Sequence, residues 1–290
     1  MSPETRRLRL VDDLGSQLDV RLGDTLLLCY QYGHDRQIPF IHPLHTRSGR
    51  LISLDQPYDH LWHHGLFFSW PNVNGFNFWE TSKKYEGRRG RIFHERFLDQ
   101  GVGSEEVSFR SANRWVTETG VHLLDDTRCF RIHGCTDQIW RLDFQIELVG
   151  NEQPLTFGCV PPYHGLSFRP QRSLDRGTLL NSDGGTAQVG TRGVAARWCV
   201  LAGQLDDPPA PVGLAMLDHP SNFRHPSSFF TMLMPDKPFS FLAVSPCFHE
   251  PYAVPAGTPL RLRYRVLIFD GPVNPASIES EWQSYAREED

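Results

Sequence analysis

Residues 141–148 read RLDFQIEL: Leu142, Phe144, Ile146 and Leu148 alternate with Arg141, Asp143, Gln145 and Glu147. Successive side chains of an extended chain point to opposite faces, so this period of two predicts a strand with one buried face. Residues 261–266, RLRYRV, repeat the pattern with three arginines outward. Upstream, QLDVRLGDTLLLCYQY (17–32) reads as a hairpin with Gly23-Asp24 at its turn. Further strands are predicted near 106–117, 127–135, 155–160, 194–202, 211–217 and 239–245. With 22 prolines and 24 glycines, turns come often. Only the C-terminal ASIESEWQSYARE has a helical stripe, with Ile278, Trp282 and Tyr285 on one face. Strands this numerous bury their apolar faces by pairing two sheets. The expected fold is all-β: one large antiparallel β-sandwich over residues 1–290 with a short C-terminal helix. No repeat, low-complexity segment or linker divides it.

Composition narrows the function. Of 290 residues, 39% are hydrophobic and 22% charged, a globular balance. The formal charge is −5 and no lysine-rich run exists, so a phosphate backbone is not the expected partner. Apolar runs such as TLLLCY are too short to cross a bilayer. The start, MSPETRRLRL, has no apolar segment behind it. Six scattered cysteines without a C-x-x-C pair read as small buried hydrophobes, and a cytoplasmic location is expected.

Four segments concentrate chemistry-bearing residues, each where a strand gives way to a turn. DHLWHHGLFFSW (59–70) and WPNVNGFNFWE (70–80) hold His60, His63, His64, Trp70, Asn74, Trp79 and Glu80. PPYHGLSFRP (161–170) holds Tyr163, His164 and Arg169. LDHPSNFRHP (217–226) holds Asp218, His219, Asn222, Arg224 and His225, and SPCFHEPY (245–252) holds His249 and Glu250. His60, His63 and His64 are candidate ligands for a divalent metal, candidate hydrogen-bonders to a ligand, or structural bonders. His164 and Glu250 are candidates for proton transfer, which needs an imidazole near its own pKa and a tuned carboxylate. His60, His63, His64, Trp70, Asn74, Arg169, Asp218, His219, Arg224 and His225 suit hydroxyl recognition. Polyols need planar donors and acceptors, and Trp62, Trp70 and Trp79 offer flat faces for a sugar's C–H side.

FIHPLHTRSGRLISLDQPYDHLWHHGLFFSWPNVNGFNFWE (40–80), LDHPSNFRHP and LRLRYRVLIFDG (260–271) resemble the marked segments of a soluble bacterial family labelled "PmoA". That label names a methane monooxygenase subunit, an integral membrane protein, whereas no segment here is long enough to span. The order of elements is also similar to galactose mutarotase and its relatives: an HHG turn, PPYHGLSF, a later glutamate, then a turn and final strand like VPAGTPLRLRYRV. That resemblance implies a β-supersandwich with a sugar in a cleft of one sheet, His164 as the acid and Glu250 as the base. The sequence departs from the pattern in lacking an asparagine before His164 and in the context of Glu250. The expectation is a carbohydrate-active enzyme using acid/base, optionally metal-assisted, chemistry on a sugar or oxidised sugar: epimerisation, elimination or glycoside cleavage. The alternative is a non-catalytic sugar-binding or sensory domain. The expected partner is a small carbohydrate, with neither nucleic acid nor membrane, and a homo-oligomer remains open.

Overall fold

Strand alternation carries almost the whole architecture. The computed structural model describes residues 7–234 and 236–289. Its strands, in chain order, are β1 (Leu8–Asp13), β2 (Gln17–Leu22), β3 (Thr25–Gln31), β4 (Phe40–Leu44), β5 (Leu66–Ser69), β6 (Gly90–Val102), β7 (Val107–Thr117), β8 (His122–His133) and β9 (Ile139–Gly150). There follow β10 (Leu155–Phe157), β11 (Gly165–Phe168), β12 (Thr178–Asn181), β13 (Trp198–Asp206), β14 (Pro209–Asp218), β15 (Phe229–Met234), β16 (Phe239–Val244), β17 (Tyr252–Val254) and β18 (Pro259–Asp270). Helices α1 (Ala187–Thr191) and α2 (Pro275–Tyr285) are short.

One eight-stranded sheet runs β1-β2-β3-β4-β5-β11-β16-β15, the other β12-β13-β14-β18-β9-β8-β7-β6, and β10 pairs with β17 in a small ribbon. The strands pair antiparallel throughout, and β9 lies beside β18 with Phe144 opposite Tyr264. Gly23, at φ +58°, closes the predicted β2–β3 hairpin in a conformation that glycine adopts without strain. The inner faces meet through aromatic rings: Tyr30 packs on Phe109 and Phe130 at 5.3 and 5.2 Å, and Phe68 on Phe144 at 5.9 Å. A single buried cluster joins residues of both sheets.

On the other side of the second sheet, α2 lays Ile278 and Tyr285 against Trp198, Leu217 and Leu267. Asn274 caps it by accepting from the Ser277 N–H at 3.2 Å, and Pro275 opens its first turn. This cover corrects the simple reading of RLRYRV. Arg261 is exposed, but Arg263 and Arg265 keep only 8% and 2% of their surface. Arg265 donates to Asp143 at 2.6 and 2.9 Å and to Glu288 at 2.9 Å, beneath the end of α2. Asp143, expected outward, is buried for the same reason. The arginines do face away from the inter-sheet core; a further layer covers Arg263 and Arg265.

All six cysteines stand free. Among the described residues no helix is long and apolar enough to cross a membrane.

Candidate functional site

Phe230 and Met232 of β15, and Phe239 and Phe241 of β16, occupy alternate positions and so share one face of the first sheet. Phe67 points the same way, with its ring 4.8 Å from Trp79, while its neighbour Phe68 points inward. Loops from four other parts of the chain close over this face and leave a cavity of about 330 Å³. Its walls include His60, Trp62, His63, Glu80, Tyr163 and Arg192 above the phenylalanine floor.

The 57–63 loop winds through two tight turns, with the His60 N–H bonded to the Pro57 carbonyl and the His63 N–H to that of His60, each at 2.9 Å. This three-residue spacing stacks the two imidazoles at 4.5 Å, nearly parallel at 18°. Gly65 follows because a side chain there would clash with the Ile41 carbonyl oxygen. Asp59 anchors the loop: its carboxylate lies 3.1 Å from His60 Nδ1, 3.2 Å from Arg169 and 2.7 Å from Arg172. Burial alone would raise the Asp59 carboxyl, but Arg169, His60 and Arg172 together hold it below its ordinary value. Burial, aided by the charges of His60 and Arg169, pushes His63 well below the usual imidazole value, so it is neutral at pH 7.

Glu80 is placed by Asn77, whose Oδ1 accepts the backbone N–H groups of Trp79 and Glu80 at 2.8 Å each. Its carboxylate accepts the Ser82 hydroxyl at 2.5 Å and is only 8% exposed. Tyr163 stands between Trp79, at 5.3 Å, and Phe230, at 5.5 Å. Burial first, then the charge of Glu80, pushes its hydroxyl up, so it stays protonated and can donate. The cavity thus offers one carboxylate, one phenol, a neutral imidazole and a second imidazole held by a carboxylate, against aromatic walls.

Other residues expected from the sequence lie elsewhere. His64 turns away, its Nδ1 2.6 Å from Asp55 and its ring stacked on Phe40 at 4.2 Å. The three histidines therefore do not face one centre: His60 and His63 stack on each other, and His64 is turned to Asp55. Among the described residues no three His, Cys, Asp or Glu side chains are grouped to hold a metal ion.

His164, expected to stand clear at a strand end, is 0% exposed. Its ring stacks on Trp70 at 4.1 Å, and Nε2 accepts the Cys247 N–H at 3.0 Å. Burial holds it neutral, with its pKa lowered to about 3. The correction has a plain cause: β11 begins at Gly165 in the middle of the first sheet, so the residue before it is roofed by the 245–247 turn. Trp70 is a core residue whose Nε1 donates to Gly158. Glu250 is exposed and pairs with Arg224 at 2.7 Å, so it shares no pocket with His164.

The LDHPSNFRHP segment folds on itself. Asp218 is 0% exposed and accepts from Asn222 at 2.6 Å, His225 at 3.0 Å and the Ser227 N–H at 2.7 Å. His219 bonds Ser221 at 2.7 Å, and Arg224 donates to the Glu250 carbonyl at 2.8 Å. Asn74 is a turn residue at φ +51° that bonds Pro154 and Thr156. Arg169 is 0% exposed, lying 4.1 Å over the Phe239 ring behind the cavity wall. The four segments therefore form two groups: His60, His63, Glu80 and Tyr163 at the cavity, and Asp218, Arg224, His225 and Glu250 away from it. Arg192 was not anticipated, for it follows α1 without any motif.

A family model described as a family of unknown function, DUF6807, matches residues 17–283. No curated protein matches the sequence. Among solved structures, a mutant of heparan sulfate lyase HepC from Pedobacter heparinus is similar at 10% identity with a TM-score of 0.45, covering 90% of this chain and 36% of that one. The chain thus spans little more than a third of that lyase. The Slr1438 protein from Synechocystis aligns at 10% identity and TM-score 0.40, covering 91% and 96%. A GalM/aldose epimerase homologue from C. elegans aligns at 10% identity and TM-score 0.36, covering 92% and 99%.

Proposed function

We propose that this chain, which belongs to the DUF6807 family of unknown function, binds a small carbohydrate in the cavity around Glu80 and performs acid/base chemistry on it. The observation that carries the reading is the meeting of His60, His63, Glu80 and Tyr163 with the ring faces of Trp62 and Phe239 around one cavity of about 330 Å³. That volume suits a small ligand, and a mostly apolar wall with a few convergent polar groups suits a molecule with both C–H faces and hydroxyls. Glu80 is the proton acceptor. Tyr163, the phenol that lines the same cavity, is the donor. His60, whose Nδ1 lies 3.1 Å from the Asp59 carboxylate, lines the same cavity and is a further polar contact for the ligand.

Glycoside cleavage ordinarily uses two carboxylates flanking the bond. Here Glu80 is the one carboxylate among the residues described at the cavity wall, since Asp59 is engaged by Arg169 and Arg172. Epimerisation or elimination, which needs one base and one acid, therefore fits better.

The test is a panel of monosaccharides and oxidised sugars, with binding read by calorimetry and turnover by NMR. Glu80→Gln should cut turnover on the order of 10²–10⁴-fold while affinity changes only a few-fold, because the amide oxygen can still accept from Ser82. Binding without turnover in the unmodified protein would identify a non-catalytic sugar-binding domain. If nothing on the panel binds, the reading is wrong.

A further inference from the structure

We infer that the carbohydrate taken by this cavity carries a carboxylate, and that Arg192 selects it; this rests on the sugar reading above. Two features of Arg192 point this way. Its guanidinium lies 4.5 Å over the face of the Phe230 ring, with Nη1 2.7 Å from Met232 Sδ. Stacking uses the guanidinium's face and leaves N–H donors in its plane for a bidentate acceptor. No carboxylate among the described residues pairs with it, whereas the neighbouring arginines 169 and 172 are both closed on Asp59.

Position gives the second argument. Arg192 lines the cavity with Glu80 and also lines an adjoining open cavity of about 710 Å³, bordered by Gln188, Val189, Leu233 and the charged pair Asp236 and Lys237. It therefore stands at the rim, where an anion keeps part of its hydration and binding it costs little desolvation. Glu80, the negative charge of the wall, repels a ligand carboxylate and so biases it toward Arg192. A neutral sugar would gain hydrogen bonds from Arg192 but no ion pair.

The experiment compares D-glucuronate with D-glucose and D-galacturonate with D-galactose, by calorimetry, on the unmodified protein and on Arg192→Gln and Arg192→Lys. Within the better pair, the acid should bind about tenfold or more tightly than its neutral twin, as a charge-assisted bidentate contact implies. Arg192→Gln should bring that ratio toward one and leave the neutral sugar within a few-fold. Arg192→Lys should keep part of it, and added salt should narrow it. Equal affinity for acid and neutral sugar in the unmodified protein overturns the role of Arg192 and leaves the sugar reading standing. A preference that survives Arg192→Gln overturns it equally. Absence of binding by all four sugars removes both readings.

Discussion

His164→Ala should unfold the protein more easily rather than alter a reaction directly, and its cost can be worked from the structure. The Cys247 N–H, buried beside the ring, loses its acceptor, which costs about 1–3 kcal/mol. The stacked pair with Trp70 contributes about 0.5–1.5 kcal/mol. The void left in a close-packed core adds a similar amount, for a total of about 2–6 kcal/mol at pH 7. The effect has a pH signature. The native imidazole titrates near pH 3 and the unfolded one near 6.5, so between these values the unfolded chain binds the extra proton. Stability from this group is thus complete above about pH 6.5 and falls as pH drops, by up to about 1.4 kcal/mol per unit. The variant lacks that slope, so its deficit should shrink by about 2 kcal/mol between pH 7 and pH 5. Urea titrations of both proteins at the two pH values measure it. A variant of unchanged stability that has lost turnover would refute the reasoning and return His164 to the reacting site.

Three further outcomes are expected. Arg128→Ala should cost about 3–5 kcal/mol in denaturant titration, since Asp126, 2% exposed and also held by Asn113 and Trp115, would keep a buried charge without its counter-ion. Burial would raise the Asp143 carboxyl, but Arg265 and His133 outweigh it and hold it at about 2. Its contribution of about 2 kcal/mol should therefore be present above pH 3.8 and lost as pH falls toward 2, and Asp143→Asn should flatten the acid limb of a stability–pH curve. Gly165→Ala should lower Tm by several degrees, because the residue sits at φ +80° and a methyl there would strike the Val244 carbonyl oxygen.

Side-chain alternation is local, so RLDFQIEL and QLDVRLGDTLLLCYQY determined their strands, and with them the antiparallel sandwich. The α2 stripe of Ile278 and Tyr285 was equally legible, because a helix repeats its face every three to four residues. His60, Glu80 and Tyr163 were visible as unusual residues in their segments, and the rings at Trp62 and Trp79 marked the same neighbourhood. What the sequence could not decide was which of these side chains meet. His63 and His64 are adjacent, yet one lines a cavity and the other pairs with Asp55 behind it, because consecutive side chains diverge. His164 and Glu250 matched a familiar order of elements, yet the strand order that places β11 between β5 and β16 buries one, while Arg224 holds the other at the surface. Arg192 had no signal at all. Its place depends on β15 pairing with β16 and on loops from distant parts of the chain closing over that edge, and such long-range juxtapositions exist only once the tertiary structure has formed.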